Sequence, residues 1–136
     1  MGEMLVILGR VMLSSIFIIS GVRKAMNIAG TAGYIANVGG LPYADILVYA
    51  TIALEVIGGI MLLVGFQARI AAFLLGLFTL AAAVFFHKFW AIDAAKEAQK
   101  YSGEFNNFLK NISLAGGLLF VAGTSTGGAS RGGQAG

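Results

Sequence analysis

The chain has 136 residues, 58% hydrophobic and only 11% charged, with a mean hydropathy of +0.87. Soluble domains carry roughly a quarter charged residues, so a water-soluble globular domain is excluded and one membrane domain is expected. A net charge of +3 with no basic stretch interleaved with aromatics argues against nucleic acid as a partner, and zero cysteines with a single histidine, His87, exclude thiolate metal centres, iron–sulfur ligation and a bis-histidine haem, so no metal site is expected.

The first apolar segment spans residues 4–22 and is interrupted by Arg10. A charge at mid-span costs roughly 2.5–3.5 kcal/mol on insertion scales, so such residues turn inward and pair. Arg10, Ser14, Phe17, Gly21 and Lys24 recur at helical spacing and share one face. The start, Met1-Gly-Glu-Met, is acidic where a cleaved signal is basic, and Arg10 would split the apolar core, so this segment is read as a retained span. No lipidation motif is visible.

Next, residues 27–38 predict a short helix closed by Gly39-Gly40, with Pro42 leading into the following span. Its Ile28, Tyr34, Ile35 and Val38 suit a position at the membrane interface. The second span covers residues 45–65 and contains Glu55, with Thr51 and Gly59 on the same face and Gly58 beside it. Only Phe66 and Gln67 separate it from the third span, residues 68–86, which forces an antiparallel hairpin. Small residues (Ala68, Ala72, Gly76) mark a packing face there, and His87 ends the helix.

Phe89 and Trp90 fit an aromatic belt, and residues 91–100 predict an alternately charged helical stretch. The fourth span covers residues 108–122 and has a short apolar centre, so Asn107, Lys110 and Asn111 must enter the membrane boundary; Asn107, Lys110, Asn111 and Leu114 are read as one face. The tail, residues 124–136, is rich in Gly, Ser and Thr and reads as flexible. The fold expected is therefore all-α: an integral membrane antiparallel four-helix bundle over residues 1–123, with a short interfacial helix between spans one and two. Arg23, Lys24, Lys88, Lys96, Lys100 and Lys110 fall on one side, against Arg69 and Arg131 on the other, so the positive-inside rule puts the termini on the non-cytoplasmic side.

At 1.5 Å per residue, Arg10 lies roughly 9 Å below one surface and Glu55 roughly 15 Å below the other, leaving a gap of about 6–7 Å that an arginine can cross. An Arg10–Glu55 ion pair is the expectation, either as part of a site or as a register device. Lys24, His87, Asn107, Lys110 and Asn111 converge above Glu55 as a polar vestibule. Such a vestibule suits a quinone headgroup: His87 or a lysine donates to a carbonyl oxygen and Glu55 exchanges a proton, making Glu55 and His87 the catalytic candidates. The bland readings stand beside these, with His87 bonded to backbone, the lysines snorkelling and the asparagines capping or linking helices.

These residues resemble the DoxX family of small four-helix membrane proteins. The resemblance covers nearly all of residues 4–123 and rests on Leu8-Gly-Arg10-Val, Ser20-Gly21 with Lys24, Gly40-Leu41-Pro42, Leu54-Glu55 with Gly58-Gly59, Phe86-His87, Asn106-Asn107-Phe-Leu-Lys110-Asn111 and Gly116-Gly117. It implies membrane redox chemistry, because some members are subunits of thiosulfate:quinone oxidoreductases and others join larger oxidoreductase assemblies. Without a cysteine, any sulfur chemistry here needs a partner or a non-covalent substrate site. Two readings follow: a membrane subunit of a quinone-linked oxidoreductase or respiratory-type complex, or a non-catalytic accessory subunit that stabilises such a complex. Both imply the lipid bilayer of a bacterial cytoplasmic membrane, other membrane subunits or further copies of the chain as partners, and no covalently bound cofactor, quinone being the candidate ligand.

Overall fold

The computed structural model describes residues 1–125. It contains five α-helices and one short 3-10 turn: α1 (Gly2–Ala25), α2 (Ile28–Asn37), α3 (Ala44–Val64), α4 (Ala68–Phe86), the 3-10 turn Phe89–Ala91 and α5 (Ala98–Thr124), with no strand among the described residues. Three helical segments, Gly2–Ala25, Ala44–Val64 and Ala68–Ala91, are long and apolar enough to cross a membrane. The tail beyond Ser125, expected to be flexible, lies outside the described residues.

Local chemistry explains the helix limits. Glu3 in the first turn of α1, and Arg23 and Lys24 in its last, match the helix dipole. Asn27 caps α2, its Oδ1 accepting from the Gly30 N–H at 3.2 Å. Gly65 ends α3 in the left-handed region (φ 81), its N–H bonded to the Met61 carbonyl at 2.9 Å. Gln67 follows, also left-handed (φ 48), and turns the chain straight into α4.

The helices associate through small residues. α1 lies mainly on α3 and α5 mainly on α4, with α3 and α4 in contact between them. Phe17, Leu62, Ala68, Ala71, Ala72, Leu75, Leu118 and Ala122 form the buried core. Lipid tails give no hydrophobic drive between helices, so close approach must supply the packing energy. A Cβ added at Gly21 would lie 2.6 Å from Val56 Cγ2, and one at Gly59 would lie 2.7 Å from Ile18 Cγ1. Both positions require glycine at the α1–α3 crossing. The pairings Gly21 with Glu55 and Val56, Gly59 with Phe17 and Ile18, and Gly65 with Arg10 run in opposite chain directions. So do Gly76 with Leu118 and Leu119, and His87 with Glu104.

The region before α5 departs from expectation. No charged helix forms over residues 92–97, where bends and turns occur instead. The Asp93 carboxylate accepts from the Ala95 N–H at 2.9 Å, a local bond that competes with helix formation. The helix then starts at Ala98, well before the apolar segment that begins at Phe108. Its polar first turns are held by aromatic contacts: the Phe89 ring meets Tyr101, Phe105 and Phe108 edge-on at 5.8, 4.9 and 5.3 Å.

Candidate functional site

The crossing at Gly21 positions the charged pair between α1 and α3. With no side chain at Gly21, α1 lies against the Glu55–Val56 backbone. Lys24 is nearly one turn further on, and helical side chains lean toward the N-terminus, so its ammonium reaches back to Glu55. Lys24 Nζ forms a salt bridge with Glu55 Oε1; the Glu55 side chain is 4% exposed and that of Lys24 is 29%. The same ammonium sits 5.5 Å from the centre of the Phe78 ring on α4, a cation–π contact.

This corrects the expected Arg10–Glu55 pair. Arg10 lies against Gly65, at the far end of α3, where a Cβ on Gly65 would be 2.8 Å from the guanidinium. Gly65 is roughly 15 Å along the helix from Glu55 at 1.5 Å per residue. Depth arithmetic treated the two helices as starting level with the membrane surface. The glycine contacts instead set a register in which Lys24, not Arg10, faces the carboxylate.

A cleft of about 260 Å³ opens beside this pair, bounded by Ile16, Phe17, Ser20 and Lys24 of α1, Thr31, Tyr34 and Ile35 of α2, Thr51 and Glu55 of α3, Phe78, Thr79, Ala82 and Phe86 of α4, His87, and Asn111 and Leu114 of α5. Its walls are mainly apolar, with Tyr34 and Phe86 stacked at 5.1 Å. Nine of its sixteen lining residues carry a polar group, spaced among the apolar ones. Thr79 is already bonded to the Leu75 carbonyl at 2.7 Å. Among the described residues, no hydrogen bond engages the side chains of Ser20, Thr51 or Asn111. A mostly apolar cavity with a few unsatisfied polar groups and a buried charge is the usual form of a small-molecule site.

At the cleft margin, His87 Nδ1 is 3.1 Å from Glu104 Oε2, and Asn107 Nδ2 donates to Glu104 Oε1 at 3.4 Å, slightly long for such a bond. A carboxylate on one ring nitrogen fixes the tautomer and orientation of a histidine. The Tyr34 hydroxyl is held above the usual tyrosine range by burial and, secondarily, by the Glu104 charge.

Residues 5–88 match the DoxX family. The chain is 34% identical over 123 residues to the inner membrane protein YphA of Escherichia coli, covering 90% of this chain and 84% of that one. It is 30% identical over 122 residues to the inner membrane protein YqjF of the same organism, covering 90% and 85%. The chain belongs to the DoxX family. No solved structure matches it. A DoxX chain with three apolar helices of spanning length is a membrane protein in contact with lipid.

Within this DoxX chain, the cleft brings together four of the residues singled out from sequence: Lys24, Glu55, His87 and Asn111. Asn107 lies just outside and joins through Glu104. Lys110 does not take part. The inward stripe of α5 runs through Glu104, Asn107, Asn111, Leu114 and Leu118, and Lys110 falls beside it, exposed. Sequence reasoning missed Glu104, Tyr34 and Phe78. Glu104 was discoverable, since it precedes Asn107 by three and Asn111 by seven on one helical face. Nothing in the local sequence points Tyr34 or Phe78 at Lys24 or Glu104; their roles come from the tertiary arrangement. Among the described residues no group of three or more His, Cys, Asp or Glu side chains could hold a metal ion.

Proposed function

We propose that this DoxX protein is a quinone-binding membrane subunit of an oxidoreductase complex. The observation that carries the reading is the apolar, aromatic-lined cleft with the buried Lys24–Glu55 pair at its wall and unengaged donors around it. A quinone ring suits the Phe78, Phe86 and Tyr34 surroundings. Its carbonyl oxygens suit the remaining ammonium hydrogens of Lys24, the Asn111 amide and His87. Reduction to hydroquinone takes two protons and two electrons. The electrons come from a donor on a partner subunit, while Glu55 and His87 are the proton-exchanging groups and Glu104 orients His87.

In this reading α5 is the fourth span. Its 27 residues extend about 40 Å at 1.5 Å each, enough to cross, and its polar first turns stand in the boundary region. It closes an antiparallel four-helix bundle, and α2 lies at the interface. Arg23, Lys88, Lys96, Lys100 and Lys110 then share the cytoplasmic side, and the N-terminus lies opposite.

The accessory reading has one observation in its favour. Lys24 and Glu55 neutralise each other and Phe78 covers the ammonium, so the pair is complete without a ligand. Isothermal titration of a short-chain quinone into protein purified in nanodiscs separates the two. The quinone reading expects saturable binding that weakens in Glu55→Gln and His87→Ala. Absence of binding by folded wild-type protein supports the accessory role.

A further inference from the structure

A second, more polar cleft of about 300 Å³ adjoins the first and is lined by Ser20, Arg23, Lys24, Asn27 and Thr31. The two share Ser20, Lys24 and Thr31. This lining contains no acidic residue. Lys24 is committed to Glu55, but Arg23 is exposed and, among the described residues, its guanidinium has neither an ion-pair nor a hydrogen-bond partner. Asn27 uses its Oδ1 to cap α2, which leaves its amide N–H groups as donors. Thr31 spends its hydroxyl hydrogen on the Asn27 carbonyl at 2.8 Å. The pocket thus offers a guanidinium fork, an amide and the Ser20 hydroxyl as donors, with little accepting capacity and a net positive charge. That donor set selects an oxyanion, and a guanidinium binds phosphate oxygens in two-point geometry.

We propose that this pocket binds the phosphate of an anionic lipid at the mouth of the buried cleft. Its position supports a lipid source: Arg23 lies in the last turn of an apolar helix of spanning length, where a long basic side chain can extend toward headgroup phosphates. The lipid phosphate is held by Arg23 and Asn27 and is independent of whether a quinone occupies the deeper cleft.

Native mass spectrometry of protein released from vesicles of phosphatidylcholine mixed with phosphatidylglycerol tests this. Wild-type protein should retain phosphatidylglycerol, and Arg23→Gln should lower retention on the order of tenfold, as expected for loss of a charge-assisted contact. Asn27→Ala should lower it less, and Arg69→Gln, on the exposed start of α4, should leave it unchanged. His87→Ala, which weakens quinone binding in the reading above, should also retain the lipid, so the two proposals fail separately. A parallel arm adds inorganic phosphate to lipid-free protein. Arg23-dependent binding there with no retained lipid supports the anion pocket but assigns it to a solution phosphate. Equal retention by wild type and a folded Arg23→Gln variant, with no phosphate binding, overturns the proposal.

Discussion

Replacing Gly21 with alanine should loosen the α1–α3 crossing, and the structure sets the size of the effect. The added Cβ would sit 2.6 Å from Val56 Cγ2, 3.2 Å from the Val56 backbone nitrogen and 3.2 Å from Glu55 Cβ. Carbon contacts are optimal at about 3.5–4.0 Å, so the first overlap is about 1 Å. Val56 is β-branched and stiff at χ1, and a backbone atom cannot rotate away, so α1 must retreat. Overpacking of this kind costs about 1–3 kcal/mol, against a gain of about 1 kcal/mol in helix propensity on removing glycine. The restricted surroundings place Gly21→Ala in the upper part of the range, a net loss of about 1–2 kcal/mol. Gly58 is the internal control, because a Cβ there meets only Leu75 atoms at 3.4 Å or more, ordinary contact. Gly58→Ala should therefore be neutral or slightly stabilising. Thermal unfolding of both variants in the same detergent, followed by circular dichroism, should rank Gly58→Ala above Gly21→Ala by several degrees. A Gly21→Ala melting temperature at or above that of Gly58→Ala would refute the close-approach argument.

Three further outcomes follow from the same geometry. Lys24→Met leaves a buried carboxylate unpaired and should destabilise the protein by about 2–4 kcal/mol, less than a fully buried pair because Lys24 is partly exposed; adding Glu55→Gln should recover most of the loss, which a double-mutant cycle in detergent melts would measure. Tyr34 should ionise only above the ordinary phenol range near ~10, so the folded state holds its proton more tightly than the unfolded state and stability should fall as pH rises through that range; Tyr34→Phe should flatten this part of the pH–stability curve, and an unchanged slope would remove Tyr34 as the cause. Single cysteines at Ser102 and Ser125 should be labelled from opposite faces of the membrane, whereas labelling from one face would rule out α5 as a span.

The apolar helices were legible because their signal is local. Runs of apolar residues long enough to span, and a connection of Phe66 and Gln67, need no tertiary knowledge. The start of α5 was not legible, because Ala98–Asn107 is polar and its helix depends on ring contacts from Phe89, which is distant in sequence. In the site, Lys24, Glu55, His87 and Asn111 were visible as polar residues in apolar helices. Their pairing was not visible, because register is fixed by where glycines permit contact. Gly21 and Gly59 set α1 against α3, and that shift gives Glu55 to Lys24 and leaves Arg10 at Gly65. A mean depth per residue cannot capture such an offset.

Photolabelling with an azido-quinone in native membranes, followed by peptide mapping, tests the central claim most directly. The account expects labels on α3 around Thr51–Glu55 and on α4 around Phe78–Phe86, suppressed by excess unlabelled quinone and reduced in Glu55→Gln. Labels confined to exposed apolar residues such as Met12 and Phe120, with no competition by unlabelled quinone, would contradict it.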